Sequence, residues 1–200
     1  CLSRGLGDVY KRQSMLDPQI TPLVPVLKSY WLIVHVAIIV SSYGFFGLSA
    51  ILGVFSLIIM MIKPNKKIEI SLKEMTYVSE MSLTIGIYLL TVGTFLGGMW
   101  ANESWGRYWS WDPKETWAFV SVIVYAVVLH MRLVPGLRGK FAFNVAAMWA
   151  VWTVIMTYFG VNYYLSGLHS YAAGDPIPIP FWVPATAVAM LALTLSLIHI

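Results

Sequence analysis

Charge is what this sequence has least of. Lys and Arg number 13 and Asp and Glu nine, only 11% of the 200 residues, against about 25% in soluble domains. With 58% hydrophobic residues and a mean hydropathy of +0.74, that deficit excludes a disordered chain and argues against a soluble globular domain. Cysteine is almost missing too: the single one is Cys1. No disulfide framework, CxxC pair or thiolate metal site can be built from it. A CxxCH motif is also lacking, so the chain is not itself a c-type cytochrome. The net charge of +4 is spread through short loops between apolar runs, which argues against a nucleic-acid partner. What remains is an integral membrane protein whose surface faces a lipid bilayer.

Both ends look foreign to the rest. Residues 1–13 (CLSRGLGDVYKRQ) are polar and basic and match nothing that follows, and SLIHI closes the chain at 196–200. Both resemble translated read-through and are expected to be non-native. The membrane domain is therefore expected to cover 14–195 and to be truncated at both ends. Cys1 and His199 carry no functional weight on that expectation.

A helical span needs ~20 apolar residues. Tyr30–Ile62, Met81–Ala101, Trp117–Met131, Phe141–Leu165 and the run from Phe181 onward meet or approach this. The fold class expected is therefore all-α, a polytopic transmembrane helix bundle of about five spans. The third span lengthens if its helix starts at Pro113. Lys63, Lys66, Lys67 and Lys73 follow span one, and Arg132, Arg138 and Lys140 follow span three. The opposite side has only Lys28, Arg107 and Lys114 in the corresponding segments. Cationic loops stay in the cytoplasm, so the loops at 99–117 and 166–180 are expected to face outward. Gly93 and Gly97 form a GxxxG pair in span two, a helix-packing signal.

Aromatics are plentiful. The segment Trp100-Ala-Asn-Glu-Ser-Trp-Gly-Arg-Tyr-Trp-Ser-Trp-Asp-Pro-Lys-Glu-Thr-Trp117 holds five of the nine tryptophans. An interfacial belt needs only one or two per helix end. Crowding of Trp100, Trp105, Trp109 and Trp111 is better explained as a stacking platform for a large flat ligand, because indoles offer wide apolar faces with few rotamers. Asp112-Pro113-Lys114-Glu115 reads as a helix start, with Asp at N-cap, Pro at N1 and Glu at N3. Asp112 is then structural, and Arg107 and Lys114 are either solvated charges or partners for ligand carboxylates.

Histidine within a membrane span is a functional hypothesis by default. His35 lies 28 residues before Lys63, or ~42 Å along a helix, which puts it on the outward side. His169 falls in the outward loop 166–180. Two imidazoles flanking a tryptophan platform suit axial ligation of a haem iron. His130 is 17 residues beyond Pro113, ~25 Å away along the helix, and cannot reach the same iron. It is either an interfacial residue or half of a second, inner site.

The tryptophan segment closely resembles the "WWD" signature of haem-handling membrane proteins. In the form WGxYWSWDPKETW it resembles the CcsA (ResC) branch, the system II cytochrome c synthase subunit. Trp31-Leu-Ile-Val-His35-Val, Ser42-Tyr43, His130, Gly160-Val-Asn162 and Gly167-Leu-His169-Ser-Tyr171 agree with it, and the resemblance covers roughly 29–195. It implies outward haem transport and cytochrome c-type biogenesis in a bacterial inner (cytoplasmic) membrane, as a multi-pass protein. It implies haem b as cofactor, held by Trp100, Trp105, Trp109, Trp111, Asp112 and Trp117, with His35 and His169 as axial ligands. His130 becomes one half of an inner haem site whose partner lies in an earlier span. A CcsB/ResB-type subunit and an apocytochrome c bearing CxxCH are the implied partners. The implied chemistry is addition of the two substrate thiols to the two haem vinyls, with no nucleophile or acid–base residue assigned to this chain. Three alternatives stand beside it: CcmC-type haem delivery to a chaperone, a non-catalytic haem exporter, and a transporter or scaffold with an interfacial aromatic patch.

Overall fold

The computed structural model describes residues 29–62, 65–169 and 178–198. Residues 1–13 and His199 lie outside them, as does all of 170–177. Among the described residues every regular element is helical. Helix α1 is Tyr30–Met60, α2 is Lys66–Trp105 and α3 is Pro113–His130. A single 3₁₀ turn, Met131–Leu133, follows α3. Helix α4 is Lys140–Ile155, which runs through a π-helical turn, Met156–Gly160, into the short α5, Val161–Tyr164. The last helix, α6, is Trp182–Ile198. Four helical segments are long and apolar enough to cross a membrane, and α6 is a shorter apolar helix.

The expected spans are present, and three boundaries differ in instructive ways. Helix α2 has 40 residues and is ~60 Å long, twice the ~30 Å hydrocarbon core. It starts well before Met81 because Lys66–Glu80 is a good helix-forming sequence that lacks apolar continuity. Asn65 caps that start by accepting from the Lys67 amide. At its other end α2 runs through Trp100 to Trp105 and stops at Gly106, whose φ of 71° is left-handed. Trp100 and Trp105 therefore belong to a helix, not to the loop expected at 99–117. The loop proper is only 106–112. The π turn in the fourth span interrupts what the hydropathy shows as one run.

Packing explains the pairing of α1 with α2. Ser42, Ser49 and Ser56 recur every seven residues on α1 and are buried. Ser79, Gly86, Gly93 and Trp100 recur at the same interval on α2 and are also buried. A seven-residue repeat keeps one face turned toward a partner helix, and small residues let the backbones approach in lipid. The Ser49 and Ser79 hydroxyls meet at 2.7 Å across this seam. A Cβ at Gly93 would sit 2.6 Å from Ile39 Cγ1. The central core adds Phe46 stacked on Tyr125 at 3.7 Å, with Leu83, Leu90, Ala147 and Ala150 around them. Large side chains such as Phe95, Val127 and Phe181 point outward, as lipid-facing residues do.

Candidate haem-binding cavity at the tryptophan end

The N-terminal turns of α1 and α3, the C-terminal turns of α2, and the stretch after α5 converge at one end of the bundle. Each element brings one functional side chain. His35 sits in the second turn of α1 and is buried. Its ring stacks on the Trp100 indole at 5.2 Å between centroids, with 24° between planes. The other side of the group is His169, 5.5 Å from Trp100 and 4.9 Å from Trp105. Trp105 meets Trp100 edge to face at 4.7 Å. Two histidines far apart in sequence thus share one indole.

Both imidazoles are fixed by the same kind of contact. His35 Nδ1 lies 2.8 Å from the Trp31 carbonyl oxygen. His169 Nδ1 lies 2.8 Å from Asp112 Oδ2. A carbonyl or carboxylate can only accept, so Nδ1 is the protonated nitrogen in each ring. In the neutral ring Nε2 then keeps its lone pair, the form a metal needs. Burial lowers the pKa of His169, against the opposing pull of Asp112, which favours the uncharged ring.

Asp112 does more than the helix start required. Its side chain accepts from the Lys114 amide and forms a capping box with Glu115. It also accepts from the Leu168 amide at 2.5 Å and from His169. Glu115 Oε2 in turn accepts from the amides of Ser110 at 2.9 Å and Asp112 at 3.2 Å and from the Ser110 hydroxyl. These two carboxylates tie the loop, α3 and the His169 segment into one unit. Within that loop Trp111 has φ 58°, a strained value for a bulky residue, and stays largely exposed.

His35, His169, Trp100, Tyr108, Trp109 and Lys114 line a cavity of about 170 Å³ whose floor runs down α1 to Tyr43 and across to Tyr158 of the π turn. A second, almost wholly apolar cavity of about 630 Å³ lies between α2 and α3 and includes Trp109, Trp111 and Phe119. The five tryptophans therefore do not form one flat platform. Trp100 and Trp105 cluster with the histidines, Trp109 stands edge to face with Trp111 and Phe119, and Trp117 lines neither cavity. The helix–loop break at Gly106 separates the two groups, which spacing in the sequence does not reveal. Arg107 is exposed and lines neither cavity. His130 lies on the exposed side of α3 near its far end, with Nδ1 held 2.7 Å from the Ala126 carbonyl. It shares no site with His35 and His169.

The donor set tells what such a cavity can hold. Among the described residues no three His, Cys, Asp or Glu side chains gather to bind a bare metal ion. Two imidazoles without a hydrogen bond to Nε2 among the described residues, beside indoles, suit instead a metal whose remaining ligands come from a flat macrocycle. Haem fits that description, and the residues present fit haem.

His35, His169, Trp100 and Trp109, singled out in the sequence, line one cavity, and so does Lys114, which the sequence left open between a solvated charge and a partner for ligand carboxylates. Its bond to Asn162 and the place of Tyr43 and Tyr158 in the floor were not foreseen. None of these has a spacing signal; they meet only through helix packing.

The sequence profile of the cytochrome C assembly protein family matches residues 13–169. Protein NrfI of Wolinella succinogenes is 52% identical over 167 residues, covering 82% of this chain and 18% of that protein. The cytochrome c biogenesis protein CcsA of Chlamydomonas reinhardtii is 40% identical over 155 residues, covering 76% of this chain and 44% of the relative. CcsA of Prochlorococcus marinus is 36% identical over 177 residues, covering 74% and 56%. The chain thus spans well under two thirds of the length of each of these relatives. On the matched profile and these relatives, with four membrane-length helical segments, the chain is a multi-pass membrane protein and belongs to the cytochrome c assembly protein family.

Proposed function

We propose that this chain is the haem-presenting part of a system II cytochrome c synthase, acting with a CcsB/ResB-type subunit in a bacterial inner membrane. The observation that carries this is the cavity lined by His35 and His169, each with Nδ1 held by an acceptor and with no hydrogen bond to Nε2 among the described residues. The CcsA name of the relatives supports it. Lys66, Lys67, Lys73, Arg132, Arg138 and Lys140, at the start of α2 and between α3 and α4, support an outward-facing cavity.

When bound, haem b would supply two vinyl groups, to each of which a cytochrome thiol adds, its sulfur bonding to carbon and its proton going to the terminal carbon. The chain contributes position rather than a reacting group. His35 and His169 would hold the iron. Trp100 sets the spacing of both rings, while Tyr108 and Trp109 close one wall. Asp112 holds His169 in the tautomer that ligates. Lipid-side apolar residues around Tyr43 keep water from the floor. The thiolates belong to the CxxCH of the apocytochrome, and thiolate is the reactive form. A histidine from that same motif, on replacing one of the two clamping imidazoles, would loosen the product.

His130 is exposed on α3, with Nδ1 held by the Ala126 carbonyl and no hydrogen bond to Nε2 among the described residues, which is compatible with the half-site that the family resemblance implies. We assign it to an inner haem site on that basis.

The test is the absorption spectrum of the full-length protein from haem-replete membranes beside the His35→Ala/His169→Ala double variant. A bis-histidine Soret band that weakens or shifts in the variant is expected. An unchanged spectrum would remove the outward site, and normal cytochrome c maturation in both single variants would remove the ligand assignment.

A further inference from the structure

Among the described residues Lys114 is the one cation lining the cavity that holds the two histidines. It stands in the first turn of α3, where the helix dipole is positive and a cation is disfavoured. Its ammonium donates to the neutral Asn162 Oδ1 at 3.0 Å, and among the described residues no carboxylate lies within ion-pair distance of it. The two nearby acids are committed elsewhere. Asp112 serves His169 and the Leu168 amide, and Glu115 serves the loop amides. A partly buried ammonium with three donors and one neutral acceptor feels Asp112 only from beyond ion-pair distance, which leaves its charge incompletely compensated. Asn162 reaches it from α5, just beyond the π turn, and extra residues in a helical turn of this kind commonly re-aim side chains at functional sites.

We propose that Lys114, positioned by Asn162, is a carboxylate anchor within this cavity, and that it takes a propionate of the tetrapyrrole. The inference rests on the haem reading of the cavity. It adds orientation. Two imidazoles on the iron leave the macrocycle free to rotate about their axis. One ammonium on a propionate stops that rotation, seating the propionate edge against α3 and α5. The vinyl side is then left for the cytochrome thiols. Lys114 is on this account a specificity residue for the acid side chains of haem, and Asn162 a positioning residue.

The experiment compares the binding of protohaem IX and of its dimethyl ester to full-length protein in detergent, read by the Soret shift. The ester has the same iron, ring and vinyls but no negative charge. Wild type should bind protohaem about tenfold tighter than the ester or more, as expected for a charge-assisted bond. Lys114→Gln should lose that preference by weakening protohaem alone, its unchanged affinity for the ester certifying the fold. Lys114→Arg should keep the preference. Asn162→Asp, which supplies an internal carboxylate to the same ammonium, should lose it with the lysine still present. No preference in wild type, or the same preference in wild type and Lys114→Gln, overturns the anchor while leaving the bis-histidine site standing. No Soret shift with either porphyrin overturns the haem reading of the cavity and the anchor with it.

Discussion

His169 donates its Nδ1–H to Asp112 across 2.8 Å, and the same Asp112 is the N-cap of α3. One carboxylate thus starts a membrane helix and fixes the tautomer of a proposed iron ligand. A partner of this kind also makes an imidazole more electron-rich.

Asp112→Asn separates the two roles, because Asn caps a helix about as well as Asp. Thermal stability should be nearly unchanged. Haem affinity should fall by about 10- to 100-fold, the usual effect of removing such a partner, and the midpoint potential should rise. Spectroelectrochemistry beside a thermal melt checks this. An unchanged potential would reduce Asp112 to a cap.

The two glycines of the GxxxG pair should behave differently. A Cβ at Gly93 meets Ile39 at 2.6 Å, whereas one at Gly97 meets His35 Cδ2 at 3.3 Å. Gly93→Ala should destabilise the α1–α2 pair by about 1–3 kcal/mol through overpacking, seen as a lower melting temperature. Gly97→Ala should leave the melt close to wild type and alter the haem spectrum by pushing the His35 ring. The spacing of the pair predicted packing alone, yet one of its members touches the cavity.

Trp111 holds φ 58° while keeping its indole largely exposed. Left-handed backbone at a residue with a Cβ costs roughly 1–2 kcal/mol. Trp111→Gly should therefore melt at the same temperature or higher, and cytochrome c maturation should fall. Strain kept at an exposed aromatic has the pattern of a functional constraint. Full maturation by the glycine variant would sink that interpretation.

Glu115→Ala removes the acceptor shared by Ser110 and Asp112. Amide exchange at those two positions should speed up by about tenfold or more, as about 1.4 kcal/mol of lost protection gives. Exchange within α1 should stay as in wild type. Equal exchange in both proteins would mean that the loop is held by its tryptophans instead.

Much of this protein is legible one residue at a time. Charge scarcity and apolar runs gave the spans, since lipid leaves a backbone little choice but helix. Asp112-Pro113-Lys114-Glu115 gave the start of α3, because capping is local chemistry. His35 stood out because polar residues are costly in a membrane, and His169 because its loop falls on the same outward side. The limits of α2 were less legible, because a helix can continue through polar sequence once its apolar part is packed. Lys66–Glu80 at one end and Ala101–Trp105 at the other show it.

The sequence by itself determined that the chain is a helical membrane bundle with histidines and a tryptophan cluster at one end, because hydropathy and capping act over neighbouring residues. Only the tertiary structure decided which groups meet. It set both His35 and His169 against Trp100, split Trp109 and Trp111 from Trp105, and turned Asp112 toward His169. It also brought Lys114 to Asn162 through a π turn. These contacts depend on the rotation and depth of one helix against another, which the serine and glycine seam of α1 and α2 sets in space and no single segment encodes.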